Sequence, residues 1–141
     1  MYLLDTDVLS ELRKRKCNPG VAKWFGKVRD SELFLSVISL AEIERGIERQ
    51  RTVDPVFAKD LAAWLELTLR AFGDRIVPLS VNIARRWGRL GAEIGNTGLD
   101  LAIAATALEH GLTVVTGNTK HYQPTGAELL NPFLGRAARK P

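Results

Sequence analysis

Several polar residues of this sequence stand at the ends of apolar runs, where a buried chain surfaces. Asp5, Thr6 and Asp7 follow Tyr2-Leu3-Leu4; Glu42 comes soon after Leu33-Phe34-Leu35-Ser36-Val37; Asp100 opens an Ala-rich stretch; Thr116 and Asn118 follow Val114-Val115. Three carboxylates brought together repel one another and stay ionised only beside a compensating cation. The donors are carboxylate, hydroxyl and amide oxygens, with no thiolate or imidazole cluster, and this set suits a hard divalent ion, Mg²⁺ or Mn²⁺, over zinc. Such an ion beside a basic surface fits attack of water on a phosphodiester.

Each residue also has a purely local use. Asp5 or Thr6 can cap a helix, Glu42 can close a Ser39-x-x-Glu42 capping box, Asp100 can face a helix dipole, and Asn118 can shape a turn after Gly117. What sets them apart is the elements that carry them. Tyr2-Leu3-Leu4 reads as a buried strand feeding a helix with Val8, Leu9 and Leu12 at helical spacing. Asn18-Pro19 starts a helix whose apolar stripe is Val21, Trp24, Phe25 and Val28. Leu33 to Val37 reads as a second strand, and Ser39 starts the helix that carries Ile43 and Ile47. Asp54-Pro55 opens the next helix, with Leu61, Trp64, Leu65 and Leu69 inward and Gly73 at its end.

Arg75 to Leu79 reads as a third strand, with Pro78 marking its end or an edge, and Ser80 caps the helix that follows. The Ala-rich helix stops at Gly111 before the strand Thr113-Val114-Val115, and Glu128 to Leu130 is a short candidate strand. Alternating strands and helices imply an α/β fold with a mostly parallel sheet flanked by helices. Ligands of such sheets bind beyond the carboxyl ends of the strands, where the polar residues emerge.

The 141 residues are 45% hydrophobic and 26% charged, enough for one domain with a real core. No apolar run approaches the roughly 18 residues of a membrane span, and no signal-peptide pattern opens the chain, so a cytoplasmic protein is expected. A lone Cys17 excludes an internal disulfide, and two histidines, His110 and His121, leave no zinc cluster. His121 reads as a surface-loop residue, with reach to the acids as the alternative. The net charge of +4 and the basic clusters Arg13 to Lys16 and Arg136 to Lys140 are compatible with an anionic partner and equally with solvated surface.

The segments Leu3 to Glu11, Ser39 to Ile43, Asp100 to Ala107 and Val114 to Asn118 together resemble the PIN-domain toxins of the VapC and FitB type, in order and over nearly the whole chain. The block Asp100-x-x-Ile103-Ala104-Ala105-Thr106-Ala107 is the most specific part. The resemblance implies a three-layer PIN-like domain over residues 1–134 with a basic tail over 135–141. It implies a metal-dependent endoribonuclease, the toxin of a type II toxin–antitoxin system, usually a homodimer silenced by a cognate antitoxin, reaching DNA only through it, and acting on structured RNA of the tRNA or rRNA class. By the same likeness Asp5, Glu42 and Asp100 are metal ligands using Mg²⁺ or Mn²⁺, and Thr6 and Thr116 match hydroxyls beside them. The family's fourth acid falls here on Asn118, which brings an oxygen without charge, so one firmly held ion is expected, any second being shared with an RNA phosphate. Arg13, Lys14 and Arg45 are phosphate contacts by charge alone.

Two other readings stay open. A FitB-like binding module would keep the fold and act with its antitoxin on DNA with weak or no cleavage, a reading sustained by Asn118. Asp5-Thr6-Asp7-Val8-Leu9 also imitates the D-x-D-x-[TV] signature of haloacid-dehalogenase-type phosphatases, imperfectly at Leu9. A phosphate-binding loop among Gly88, Gly91, Gly95 and Gly98 is set aside, because these glycines do not follow a strand or keep G-x-G-x-x-G spacing.

Overall fold

The computed structural model describes residues 1–96 and 98–133. Twelve elements follow one another: β1 (Tyr2–Leu4), α1 (Thr6–Leu12), α2 (Pro19–Lys27), β2 (Leu33–Ser36), α3 (Val37–Val53), α4 (Pro55–Phe72), β3 (Ile76–Val77), α5 (Val81–Ile94), α6 (Leu99–His110), β4 (Thr113–Val115), α7 (Thr119–Tyr122) and β5 (Leu129–Leu130). The strands form one sheet in the order β3-β2-β1-β4-β5. Every neighbouring pair is parallel, with Tyr2 opposite both Leu33 and Thr113. β1 is therefore central, and the residue that leaves its carboxyl end is Asp5.

Alternation along the strands makes the three layers. Leu3 and Val114 point to one face, into a core shared with Ile83, Ile103 and Tyr122. Leu4, Leu35 and Val115 point to the other, against Val8, Val21, Ile43, Ile47 and Leu65. The helix α6 is buried from Leu101 to Ala107, which accounts for its apolar residues on every side. Small side chains there, Ala102, Ala104, Ala105 and Ala107, let it lie close to its neighbours.

The caps follow local chemistry. Asn18 accepts from Gly20 N at 3.0 Å, Asp54 from Phe57 N at 3.1 Å and Ser80 from Ile83 N at 3.1 Å. Gly111 takes the left-handed conformation, φ 64°, that ends α6. The helix α3 departs from the sequence reading. Its cap is Ser36, whose hydroxyl accepts from Ile38 N at 3.0 Å, so Val37 is helical and Ser39 lies inside the first turn. No capping box forms there, and Glu42 is left to face other elements.

The third strand is also shorter than expected. Pro78 has no N–H for the ladder, and Arg75 lies outside the strand, its guanidinium donating to the carbonyls of Leu33 (2.8 Å) and Ala71 (2.7 Å). Phe25, expected in the apolar stripe of α2, is 36% exposed. The basic cluster Arg136 to Lys140 and the tail at 135–141 lie outside the described residues.

Candidate functional site

The carboxyl end of β1 sets the site. Asp5 is the cap of α1 and is 5% exposed. Its backbone N donates to Val115 O at 3.0 Å, continuing the ladder for one residue and fixing the side chain between the exits of β1 and β4. Both carboxylate oxygens are engaged: Oδ1 accepts from Thr6 N and Oδ2 from Thr116 Oγ1, each at 2.8 Å. The same Thr116 hydroxyl accepts from Asn118 N at 3.0 Å, which orients its proton toward Asp5. Thr6, beside the cap, donates its hydroxyl to Glu42 Oε1 at 2.8 Å across to α3.

Asp100 joins from the first turn of α6, whose cap Gly98 offers no side-chain acceptor. Its Oδ2 lies 3.1 Å from His121 Nδ1, and its Oδ1 accepts from Tyr122 Oη at 3.4 Å. His121 and Tyr122 belong to α7, a single turn that the sequence reading did not contain. His121 is thus on an acid rather than in a free loop. Tyr122, fully buried, was not singled out at all; its placement three residues beyond Thr119 carries no periodic signal in so short a helix.

Burial is the main cause that raises the Asp5 carboxyl above its ordinary range, opposed by its hydrogen bonds from Thr116, Thr6 and Tyr122 and reinforced by the charge of Asp100. Glu42 is raised in the same way, first by burial and then by Asp5 and Asp100, against the hydrogen bond from Thr6. The Tyr122 phenol is raised strongly by burial and by the charges of Asp5 and Asp100, so it keeps its proton and acts as a donor. Acids from β1, α3 and α6 thus sit within each other's fields, a pattern that concentrates at sites built for charge chemistry.

The oxygen-only donor set and its excess negative charge fit a hard divalent ion. Among the described residues no three Asp, Glu, His or Cys side chains stand close enough together to hold a metal ion between them. An open arrangement suits Mg²⁺, which keeps several waters and takes only one or two carboxylates directly.

The remaining sequence candidates lie further out. Asp7 accepts from Gly117 N at 2.8 Å, a clamp between α1 and the turn after β4 rather than the proton donor of a phosphatase site. Asn118 is exposed, and its side chain does not cap α7. Arg13 stacks over the Phe57 ring at 5.3 Å and, with Thr6, Glu42, Gln50 and Trp64, lines a groove of about 240 Å³. Lys14 pairs with Glu11 at 3.1 Å, and Arg45 is exposed on α3.

A five-stranded parallel sheet between helical layers, with Asp5, Glu42 and Asp100 at its carboxyl edge, defines a small three-layer α/β domain. The PIN domain family matches residues 2–126, and the chain belongs to it. Its relatives are of the VapC and FitB type. It is 31% identical over 143 residues to VapC ribonuclease Y4jK of Sinorhizobium fredii, covering 94% of this chain and 98% of that protein. It is 29% identical over 144 residues to toxin FitB of Neisseria gonorrhoeae, covering 94% and 99%. Among solved structures, FitAcB from Neisseria gonorrhoeae superposes with a TM-score of 0.82 at 30% identity, over 94% of this chain and 98% of that one. FitAB bound to an IR36 DNA fragment gives 0.72 at 26% identity, over 94% and 95%.

Proposed function

We propose that the chain is a metal-dependent endoribonuclease, the toxin of a type II toxin–antitoxin system, cutting structured RNA of the tRNA or rRNA class. The observation that carries this reading is the grouping of Asp5, Glu42 and Asp100 at one sheet edge, where Glu42 feels the charges of the other two. A divalent ion held by these acids, Mg²⁺ or Mn²⁺, would activate water and offset charge growing on the phosphate. The protein's own part is positional. Thr116 and Thr6 aim the Asp5 and Glu42 oxygens, and burial of Asp5 excludes competing water from the back of the site. Arg13, at the groove that begins at Glu42, supplies a cation for an incoming phosphate.

The toxin names of the relatives, and a neighbour described as FitAB bound to DNA, support a cognate antitoxin as the partner, with DNA reached only through it. A homodimer and a cytoplasmic location belong to the same proposal; no helix among the described residues is long and apolar enough to cross a membrane.

The test is cleavage of structured RNA by the purified chain with Mg²⁺ or Mn²⁺, beside Asp5→Asn, Asp100→Asn and a chelator control. If the reading is right, chelator stops cutting and each substitution slows it by about two orders of magnitude or more, and cutting at the wild-type rate in either variant removes it. Asn118, exposed and uncharged, favours a second reading, a FitB-like binding module; a wild type that binds antitoxin yet cuts nothing with Mn²⁺ selects it.

A further inference from the structure

We propose that Tyr122 is a positioning residue whose hydroxyl sets the direction of the Asp100 carboxylate at the acidic edge. The inference rests on the metal-nuclease reading and extends it to a residue of α7. Each of the three acids meets a neutral hydroxyl: Thr116 on Asp5, Thr6 on Glu42 and Tyr122 on Asp100. Among the described residues none of the three lies within ion-pair distance of a lysine or arginine; Asp100 alone also meets an imidazole, His121 Nδ1 at 3.1 Å on its other oxygen, so Tyr122 sets Oδ1 while His121 meets Oδ2. A hydroxyl fixes where a carboxylate oxygen points while leaving its charge intact, whereas a basic side chain would neutralise the charge a cation needs. Tyr122 is suited to the task because its ring does not move freely. It is fully buried in the core with Leu3, Ile103 and Val114, and its carbonyl accepts from Thr125 Oγ1. Its hydroxyl faces Asp5 as well as Asp100, so one phenol relates two acids from different elements. At 3.4 Å the bond to Asp100 is long, and its value lies in aim more than in stability.

The test compares wild type with Tyr122→Phe, which keeps the buried ring and removes only the hydroxyl. In metal-free protein the ¹³C carboxyl resonance of Asp100 moves while that of Glu42 stays. Mn²⁺ alone, followed by calorimetry, binds roughly tenfold more weakly, the lower end of what loss of an outer hydrogen-bond partner costs a metal site. RNA cleavage loses kcat with KM unchanged. An Asp100 resonance that does not move, or an unchanged Mn²⁺ affinity in a wild type that binds the ion, overturns the inference. A wild type that binds no Mn²⁺ and cuts nothing defeats the nuclease reading instead, and the Asp100 resonance still decides what the hydroxyl does.

Discussion

Asp5 and Asp100 present the same carboxylate to the same edge, yet the two halves of the molecule hold them by different means. On the β1 side, Asp5 is built into the fold: it caps α1, extends the ladder to β4 and has both oxygens engaged at 2.8 Å. On the α6 side, Asp100 has a side chain 40% exposed, and its partners among the described residues are His121 and Tyr122 of a one-turn helix. The first is an anchor placed by the sheet, and the second is placed by packing beside it, with its partners drawn from one short helix. The cost falls on Asp5, because burial penalises the charged form of its carboxyl.

Removing each acid is the sharpest way to break this comparison. Asp5→Asn and Asp100→Asn each lower cleavage by about two orders of magnitude or more, the several kcal/mol expected when a ligand to an activating ion is lost. Their stabilities should diverge. The folded pKa of Asp5 lies above its ordinary 3.8, so over the window between the two values the native chain binds more protons than the unfolded one. Stability is then greatest below the unfolded value and falls as pH rises through the folded one. Asp5→Asn removes that titration at the cost of turning one acceptor oxygen into a donor, so its Tm falls less than the wild-type Tm as pH rises from 3 to 7. Parallel pH profiles for the two proteins would falsify the claim that burial strains the Asp5 charge.

Adding the ion should relieve the same strain. Mn²⁺ at a hundred times its Kd stabilises a single-site protein by about 2.7 kcal/mol. Melting curves should show that upward shift in the wild type, reversed by chelator and missing in Asp5→Asn. A shift that persists in Asp5→Asn places the ion elsewhere.

The anchor itself is tested by Thr116→Val. This fully buried hydroxyl serves Asp5 Oδ2 and Asn118 N together, so its loss leaves two groups short of a partner and costs about 1–3 kcal/mol by denaturant titration. Thr6→Val, which frees only the half-buried Glu42, costs less. If the two were equal, the buried anchor would be no different from the rest of the edge.

The same contrast separates what could be read in the chain from what could not. Asp5, Asn18-Pro19, Asp54-Pro55, Ser80 and Gly111 act on neighbours within three or four residues, and local chemistry was enough to read their elements. That Asp5, Glu42 and Asp100 share an edge was inferable from topology, since Asp5 leaves β1, Glu42 rides the first turns of the helix after β2, and Asp100 opens the helix that runs back to the start of β4. The hold on Asp100 was not. It depends on residues 21 and 22 positions away, in a helix too short to show a period. The end of β3 was legible in Pro78, which lacks the N–H to continue the ladder, but its start was not, since Arg75 is drawn out of the strand by bonds to Leu33 O and Ala71 O that no local pattern shows.

The smallest predicted effect concerns two serines that the sequence does not distinguish. Ser36 and Ser39 both precede helical residues, and Ser39 with Glu42 spells a capping box, yet only Ser36 caps α3. Ser39 is fully buried, and its hydroxyl has no hydrogen-bond partner among the described residues. Ser36→Ala therefore costs about 1 kcal/mol, the usual value of an N-cap. Ser39→Ala removes a polar atom that is buried without compensation, so it leaves stability unchanged or raises it by a few tenths to about 1 kcal/mol. Urea midpoints of the two variants measure the difference, and a Ser39→Ala loss as large as that of Ser36→Ala would restore the capping box. With it would return Glu42 as a cap rather than an acid of the site, because a carboxylate held back on its own helix start does not face Thr6. The pair thus tests, by stability alone, whether α3 joins the buried anchor at β1 in presenting a third acid to the edge.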